Sequence, residues 1–417
     1  DSPGRLRSVI SSNLVVVLAF GAVVPFVYTM TGKLRLPGPV LEMLAGILIG
    51  PAALGWARPD ELVNTLGTLG LSFLLFLAGF EVDVRRFRTR IGPKVMMSLL
   101  ISMLLSAATM VTMDARIGQG SLLVGIALLA TSLGVVVPVL ADAAVARQPV
   151  GVITVSCASA GEVAAVVAFS LGVAGSPTPL IGRLLLLGLL LTLVGGVGTV
   201  LAGARHASRL VFLIQRLADT SAQIRIRLTV LVVTGIAFAA ARLGFESILG
   251  AFLAGVLVRT VDPEPQRAHP LYRIKIEAIA FGLLVPVYFI RSGMALDVEG
   301  LTQQPATLAE MALFLAALLA VRGLPVVVFW QELSKTQLLA SALLQATSLP
   351  FLLTAAQVGL QMGLLSRSTS TAVAGAGMLS VLTFPPIALR LLALPQSGPR
   401  RRRLRRRPGS PDQNRPP

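Results

Sequence analysis

The sequence predicts an all-α polytopic membrane protein, and three observations carry that prediction. The chain is 54% hydrophobic and only 13% charged, with a mean hydropathy of +0.81, which leaves too little polar surface to solvate a 43.7 kDa globule in water. Its apolar residues fall in runs of about 17 to 25, the length of a helix crossing a hydrocarbon core of roughly 30 Å. Glycine and proline punctuate those runs, and none shows the alternation of a membrane barrel strand.

The spans fall near 9–31, 39–55, 62–81, 94–113, 120–141, 150–173, 180–203, 225–242, 245–259, 276–295, 305–329, 337–361 and 368–393, about thirteen in all. Alternate loops between them differ in charge. One set contains Lys33 and Arg35; Arg85, Arg86, Arg88, Arg90 and Lys94; Arg147; Arg205, Arg209, Arg216, Arg225 and Arg227; Arg259, Arg267, Arg273 and Lys275; and Lys335. The other holds little beyond Arg58, Arg116, Arg242 and Arg367. The positive-inside rule puts the first set in the cytoplasm, with the N-terminus outside and the C-terminus inside, as an odd number of spans requires. The excess of Arg over Lys suggests a GC-rich bacterial genome, and the location expected is a bacterial inner membrane.

The net charge of +17 is concentrated in the tail, where Arg400 to Arg403 and Arg405 to Arg407 place seven arginines in eight positions. No aromatic residue interleaves that run and an apolar span precedes it. It therefore reads as a contact for anionic lipid or a topology signal, not as a nucleic-acid site. Residues 395–417, rich in Pro, Arg and Ser, are expected to be disordered. Cys157 is the single cysteine, so no intrachain disulfide forms. His206 and His269 fall in separate loops without ligand spacing, so neither a tightly bound transition metal nor any cofactor is expected.

Within the spans, Glu162 is the one carboxylate in the middle of a long apolar segment, CASAGEVAAVVAFSL. A charge at the bilayer centre costs several kcal/mol, and it persists where it serves an ion pathway or is paired. Arg322, in LAALLAVRGLPVVVFW, lies deep in the eleventh span and needs an acidic or carbonyl partner, for which Glu162 is the evident candidate. Arg291 lies nearer the outer end of the tenth span, where it can snorkel to water or reach Asp297. Glu42, Glu81, Asp83 and Glu277 fall near cytoplasmic span ends, where water and loop arginines satisfy them. Glu246 lies near the outer surface.

A short internal repeat adds to this. The tetrapeptide ATSL occurs at Ala130 to Leu133 in the fifth span and at Ala346 to Leu349 in the twelfth. Seven spans separate the copies, so they run in opposite directions, the topology of an inverted repeat. Each copy sets two hydroxyls mid-span, Thr131 and Ser132 or Thr347 and Ser348, with a proline following, Pro138 or Pro350. Proline removes a backbone donor, so both spans are expected to break at the midplane and to offer carbonyls and hydroxyls to a cation. The alternative is that Ser and Thr bond back to their own helix.

The segments LPGPVLEMLAGILIGPAALG, LSFLLFLAGFEVDVRRFR, LGAFLAGVLVR and KIEAIAFGLLVPVYFIRSGMALDV resemble those of the monovalent cation:proton antiporter-2 family, part of the wider sodium/proton exchanger superfamily, in the family's order and over about residues 14–393. The resemblance implies two inverted six-helix repeats with crossed broken helices, a transport core of spans 4 to 6 and 11 to 13, and a dimerising scaffold of spans 1 to 3 and 8 to 10. The domain division is then 1–175, first repeat; 176–222, seventh span and cytoplasmic loop; 223–394, second repeat; and 395–417, tail. The resemblance further implies that Glu162 is the transport carboxylate, Arg322 its charge partner, and Thr131 and Ser132 hydroxyl ligands.

The chain departs from the family pattern at Gly161, where an Asp, Asn or Gln is usual, and in carrying Glu where Asp is usual. The function expected is a homodimeric secondary transporter that exchanges Na+ or K+ for protons by alternating access at one buried carboxylate. Alternatives are a non-transporting sensor or assembly platform, or an exporter of a small organic ion or ionophore. No span pairs a nucleophile with a histidine base, so an enzyme is not expected.

Overall fold

The computed structural model describes residues 11–30, 37–82, 90–173, 179–204, 223–261, 270–298 and 304–393. The basic tail, His206, His269, Asp83 and most of the arginine-rich loops lie outside the described residues. Every regular element among those described is helical, as the composition predicts.

Four unbroken helices open the chain or follow its first turns: α1 (Ser12–Met30), α2 (Gly38–Ile49), α3 (Glu61–Glu81) and α4 (Gly92–Ile117). Asp60 starts α3 by accepting the Val63 N–H at 2.9 Å, satisfying one of the orphan donors of a helix N-terminus. The fifth span is two pieces, α5 (Gly120–Ala127) and α6 (Leu133–Asp142). Long helices α7 (Pro149–Val173) and α8 (Leu180–Ala204) follow, then α9 (Ile224–Arg242) and α10 (Ser247–Val261).

Two further spans change their winding midway. In α11, α-helical Pro270–Ile279 and Val285–Met294 flank a π-helical turn, Ala280–Leu284. In α12, α-helical Pro305–Leu318 passes through a π-turn, Leu319–Gly323, into 3-10 helix, Leu324–Phe329. π-bulges often accompany functional positions because they re-aim side chains, and this one contains Arg322. The twelfth span is again two pieces, α13 (Lys335–Gln345), started by a Ser334–Gln337 capping box, and α14 (Pro350–Gln361); α15 (Arg367–Ala393) closes the described chain.

Among the described residues, eight helices, α12 and the α13–α14 span included, are long and apolar enough to cross a membrane. Their apolar faces are not all turned inward. Leu185, Leu104 and Val111 are more than two-thirds exposed, as lipid-facing residues are. Two helix pairs approach at backbone distance: a side chain at Gly79 of α3 or Gly255 of α10 would collide with the carbonyl of Phe252 or Phe76, and one at Gly46 of α2 or Gly293 of α11 with that of Ile290 or Met43. Such close glycine seams are how membrane helices gain packing energy without a hydrophobic drive. They tie α2, α3, α10 and α11 into one unit beside the broken spans.

Candidate functional site

The two interrupted spans meet where each unwinds. Residues 128–132 separate α5 from α6, and 346–349 separate α13 from α14. The Ser132 N–H donates to the Thr347 carbonyl at 2.8 Å, and the Thr131 hydroxyl donates to the Gln345 carbonyl at 2.6 Å. Each break thus satisfies backbone groups freed by the other, which is what allows irregular backbone at membrane depth.

The break in the fifth span lies before Pro138, not at it. Pro138 is inside α6, and its missing N–H leaves the Gly134 carbonyl without an intrahelical donor; both residues line a cavity. In the twelfth span Pro350 is the first residue of α14, directly after the break. The difference follows from the interhelix bonds, which fix the unwound segment at Thr131 and Ser132 whatever the position of the proline.

Glu162, on α7, is 5% exposed and reaches the start of α6, where the backbone N–H of Leu133 interacts with its carboxyl group. Its Oε2 has no hydrogen-bond partner among the described residues. The side chain lines a cavity of about 380 Å³, as do Ser132, Gly134, Pro138 and Pro350. At that cavity stand Glu81, Arg273 and Glu277: Arg273 donates to Glu81 at 3.2 Å and also to Glu277. A second cavity, about 440 Å³, opens among Pro51, Asp297, Gln357, Arg367 and Thr371, and Glu162 is not among its walls. Buried Tyr288 donates to the Pro350 carbonyl at 3.2 Å, and buried Phe351 packs edge-on to Phe169.

Arg322 is 1% exposed, but it makes no ion pair with Glu162 within 4.0 Å among the described residues. Its Nε donates to Thr131 Oγ1 at 3.0 Å, Nη2 to the Cys157 carbonyl at 2.8 Å and Nη1 to Ser102 Oγ at 3.4 Å. Of the acidic or carbonyl partner expected for Arg322, the structure shows the carbonyl, that of Cys157, with hydroxyl oxygens beside it, while Glu162 stands beyond ion-pair distance. Thr131 is used on both sides, as donor to Gln345 and acceptor from Arg322, so of the two predicted hydroxyl ligands Ser132 is the one that shares the cavity with Glu162. Thr347 bonds back to the Leu343 carbonyl at 3.0 Å, and the Ser348 N–H donates to Ser380 Oγ at 3.1 Å; neither residue lines the cavity.

Sequence reasoning missed the polar seam behind Arg322. Ser98, Ser102 and Ser106 recur every fourth residue on α4 and are all buried, and Thr154, Ser341 and Gln345 continue the seam with bonds of 2.7 and 3.3 Å. The spacing of the three serines was a readable signal, since residues four apart share one helix face.

A carboxyl group with an unpartnered oxygen and a hydroxyl lining the same cavity can hold a proton or a small dehydrated cation. Comparison with known proteins gives that chemistry its setting. The family described as sodium/hydrogen exchanger, transmembrane, matches residues 16–390. The chain belongs to the sodium/hydrogen exchanger family. Among its relatives are YjbQ of Bacillus subtilis (strain 168), 27% identical over 405 residues that make up 91% of this chain and 63% of YjbQ, and the Na(+)/H(+)-K(+) antiporter GerN of Bacillus cereus, 25% identical over 370 residues, 85% of this chain and 90% of GerN. The chain thus spans less than two-thirds of YjbQ. The fold is that of the sodium proton antiporter MjNhaP1 from Methanocaldococcus jannaschii, with a TM-score of 0.58 and 17% identity over 91% of this chain and 97% of that one. Membership of this exchanger family meets the expectation raised by the sequence segments, and it makes the chain one of a membrane-embedded, multi-pass family of ion transporters.

Proposed function

We propose that the chain is a secondary transporter that exchanges a monovalent cation, Na+ or K+, for protons at Glu162. The observation that carries this reading is the Glu162 carboxyl group, buried beside two helix breaks that bond to each other, with one oxygen unpartnered among the described residues and a cavity at its side chain. A buried carboxylate is costly alone and cheap once neutralised, by a proton or by a cation. The two loads then compete for one group, and binding of one excludes the other.

Alternating access would follow from the same charge. With Glu162 neutralised, the unit formed by α4 to α7 and α12 to α15 slides past the glycine-sutured α2, α3, α10 and α11; with Glu162 bare, that passage exposes an uncompensated charge to the low-dielectric barrier. Under this reading the Arg-rich face is cytoplasmic, so the cavity at Glu81, Arg273 and Glu277 is the inward vestibule, and its carboxylates raise local cation concentration ahead of the site. The division into two repeats, 1–175 and 223–394, belongs to the same proposal.

Glu162→Gln tests it. The variant keeps the side chain's shape and loses its charge, so it should insert and purify like the parent while cation-driven proton movement in dye-loaded liposomes falls to background. Exchange at the parent's rate would reject the assignment.

A further inference from the structure

The position before the transport carboxylate holds a glycine, and the space its side chain would fill is already taken. A Cβ placed on Gly161 would stand 2.6 Å from Arg322 Cζ, 2.6 Å from Arg322 Nη2 and 2.6 Å from the carbonyl oxygen of Leu129. All three are far inside ordinary van der Waals contact, and the last belongs to the unwound backbone between α5 and α6. The planar end of Arg322 therefore sits in the groove that Gly161 leaves open, between α7 and the break in the fifth span.

From that groove the guanidinium reaches three separate elements. Nε holds Thr131 of the unwound segment, Nη2 holds the Cys157 carbonyl one turn before Gly161 on α7, and Nη1 lies against Ser102 on α4. Thr131 and the Cys157 carbonyl accept from two nitrogens of one rigid planar group, Nε and Nη2, so their separation is set by covalent geometry rather than by flexible side chains. Glu162 follows Gly161 directly, and Ser132 follows Thr131. The spacing of Glu162 from Ser132 is thus inherited from the Arg322 fork. The π-turn at Leu319–Gly323 delivers Arg322 to this place.

We infer that Arg322 is the positioning residue of the exchange site and Gly161 the residue that admits it: the guanidinium stands where a side chain at 161 would be and sets the distance between the unwound segment and the helix bearing Glu162. This rests on the proposed role of Glu162 and goes beyond it, because it gives Arg322 a geometric task and not that of a counter-charge. An arginine acting as counter-charge can be replaced by lysine, whereas an arginine acting as a fork cannot.

The test measures cation-driven proton exchange in proteoliposomes for the parent, Arg322→Lys, Thr131→Val and the double variant, with Vmax and apparent cation KM determined separately. Arg322→Lys keeps the charge and loses the fork; it should raise the apparent cation KM about tenfold with Vmax within about twofold of the parent, the scale of a misplaced ligand. Thr131→Val, nearly isosteric, should raise KM similarly. Because the two act through one bond, the double variant should be little worse than either single one, the signature of coupled residues in a mutant cycle.

A parent-like KM for Arg322→Lys, or strictly additive effects, would overturn the positioning role. Should Arg322→Lys fail to fold, Thr131→Val still decides, since an unchanged KM there removes the bond from the argument. A parent protein with no exchange at all is a different result: it rejects the transport reading itself, and this inference with it.

Discussion

The same four residues, Ala-Thr-Ser-Leu, stand at both helix breaks, yet the two copies do different things. In the first, Thr131 is clasped by Arg322, Ser132 lines the cavity, and the backbone N–H of Leu133 faces Glu162. In the second, Thr347 bonds to its own helix, and Ser348 is tied through backbone N–H and carbonyl to Ser380 on α15, at 3.1 and 3.0 Å. Both copies unwind, and each supplies an acceptor or donor to the other. What separates them is what packs alongside: α7 brings a carboxylate to the first copy and α15 brings only a hydroxyl to the second. The same tetrapeptide unwinds in both spans, and its neighbours decide what chemistry the break is given.

The comparison is broken most sharply at its charged side, where Glu162→Gln should erase exchange altogether. On the other side, the largest expected effect is on stability. Ser380→Ala removes the acceptor of the Ser348 N–H, leaving a buried backbone donor unpaired at a cost of about 1–3 kcal/mol. A fall in detergent Tm of several degrees is expected, with apparent cation KM unchanged. A KM shift without a Tm shift would mean that the second break also binds the ion.

Smaller effects distinguish the two serines themselves. Ser132→Ala removes a hydroxyl from the wall of the cavity that ends at Glu162, and it should raise apparent cation KM by about tenfold, the worth of one hydrogen-bond-scale interaction. Ser348→Ala removes a hydroxyl that is buried, has no partner among the described residues and lines no part of that cavity, so KM should stay within about twofold of the parent. Titrating both variants with Na+ and K+ checks the pair. Equal effects would make the two copies functionally alike.

Much of this was legible in the sequence, and what was not has a physical cause. Apolar runs gave helix ends closely: 180–203 for Leu180–Ala204 and 368–393 for Arg367–Ala393. The carboxylate was legible because burying Glu162 is costly enough to need a reason. The partners of Arg322 were not, because a guanidinium can be satisfied by neutral oxygens, and which oxygens come near depends on a π-turn and on a missing Cβ at 161 that no periodicity reports. The prolines misled for a related reason: Pro138 marks the broken span but not its break, which the Ser132 to Thr347 hydrogen bond places six residues earlier. The Glu81–Arg273–Glu277 cluster joins residues 192 positions apart, a separation beyond local pattern reading.

The asymmetry of the breaks also bears on charge movement, where the expected effect is none. The charged residues fully buried among those described are Glu162 and Arg322. If Arg322 stays charged throughout, the core carries one positive charge when Glu162 holds a proton and one when it holds a monovalent cation. Each turnover then moves equal charge in both directions, one cation for one proton. Imposing 100 mV across the liposome membrane should leave the null point, the cation gradient that just balances a fixed proton gradient, where it was. One uncompensated elementary charge per cycle would couple to that potential with about 2.3 kcal/mol, displacing the null point roughly fiftyfold. A displaced null point would require a second titrating group at the site, and Glu81, which lines the same cavity as Glu162, is where it would first be sought.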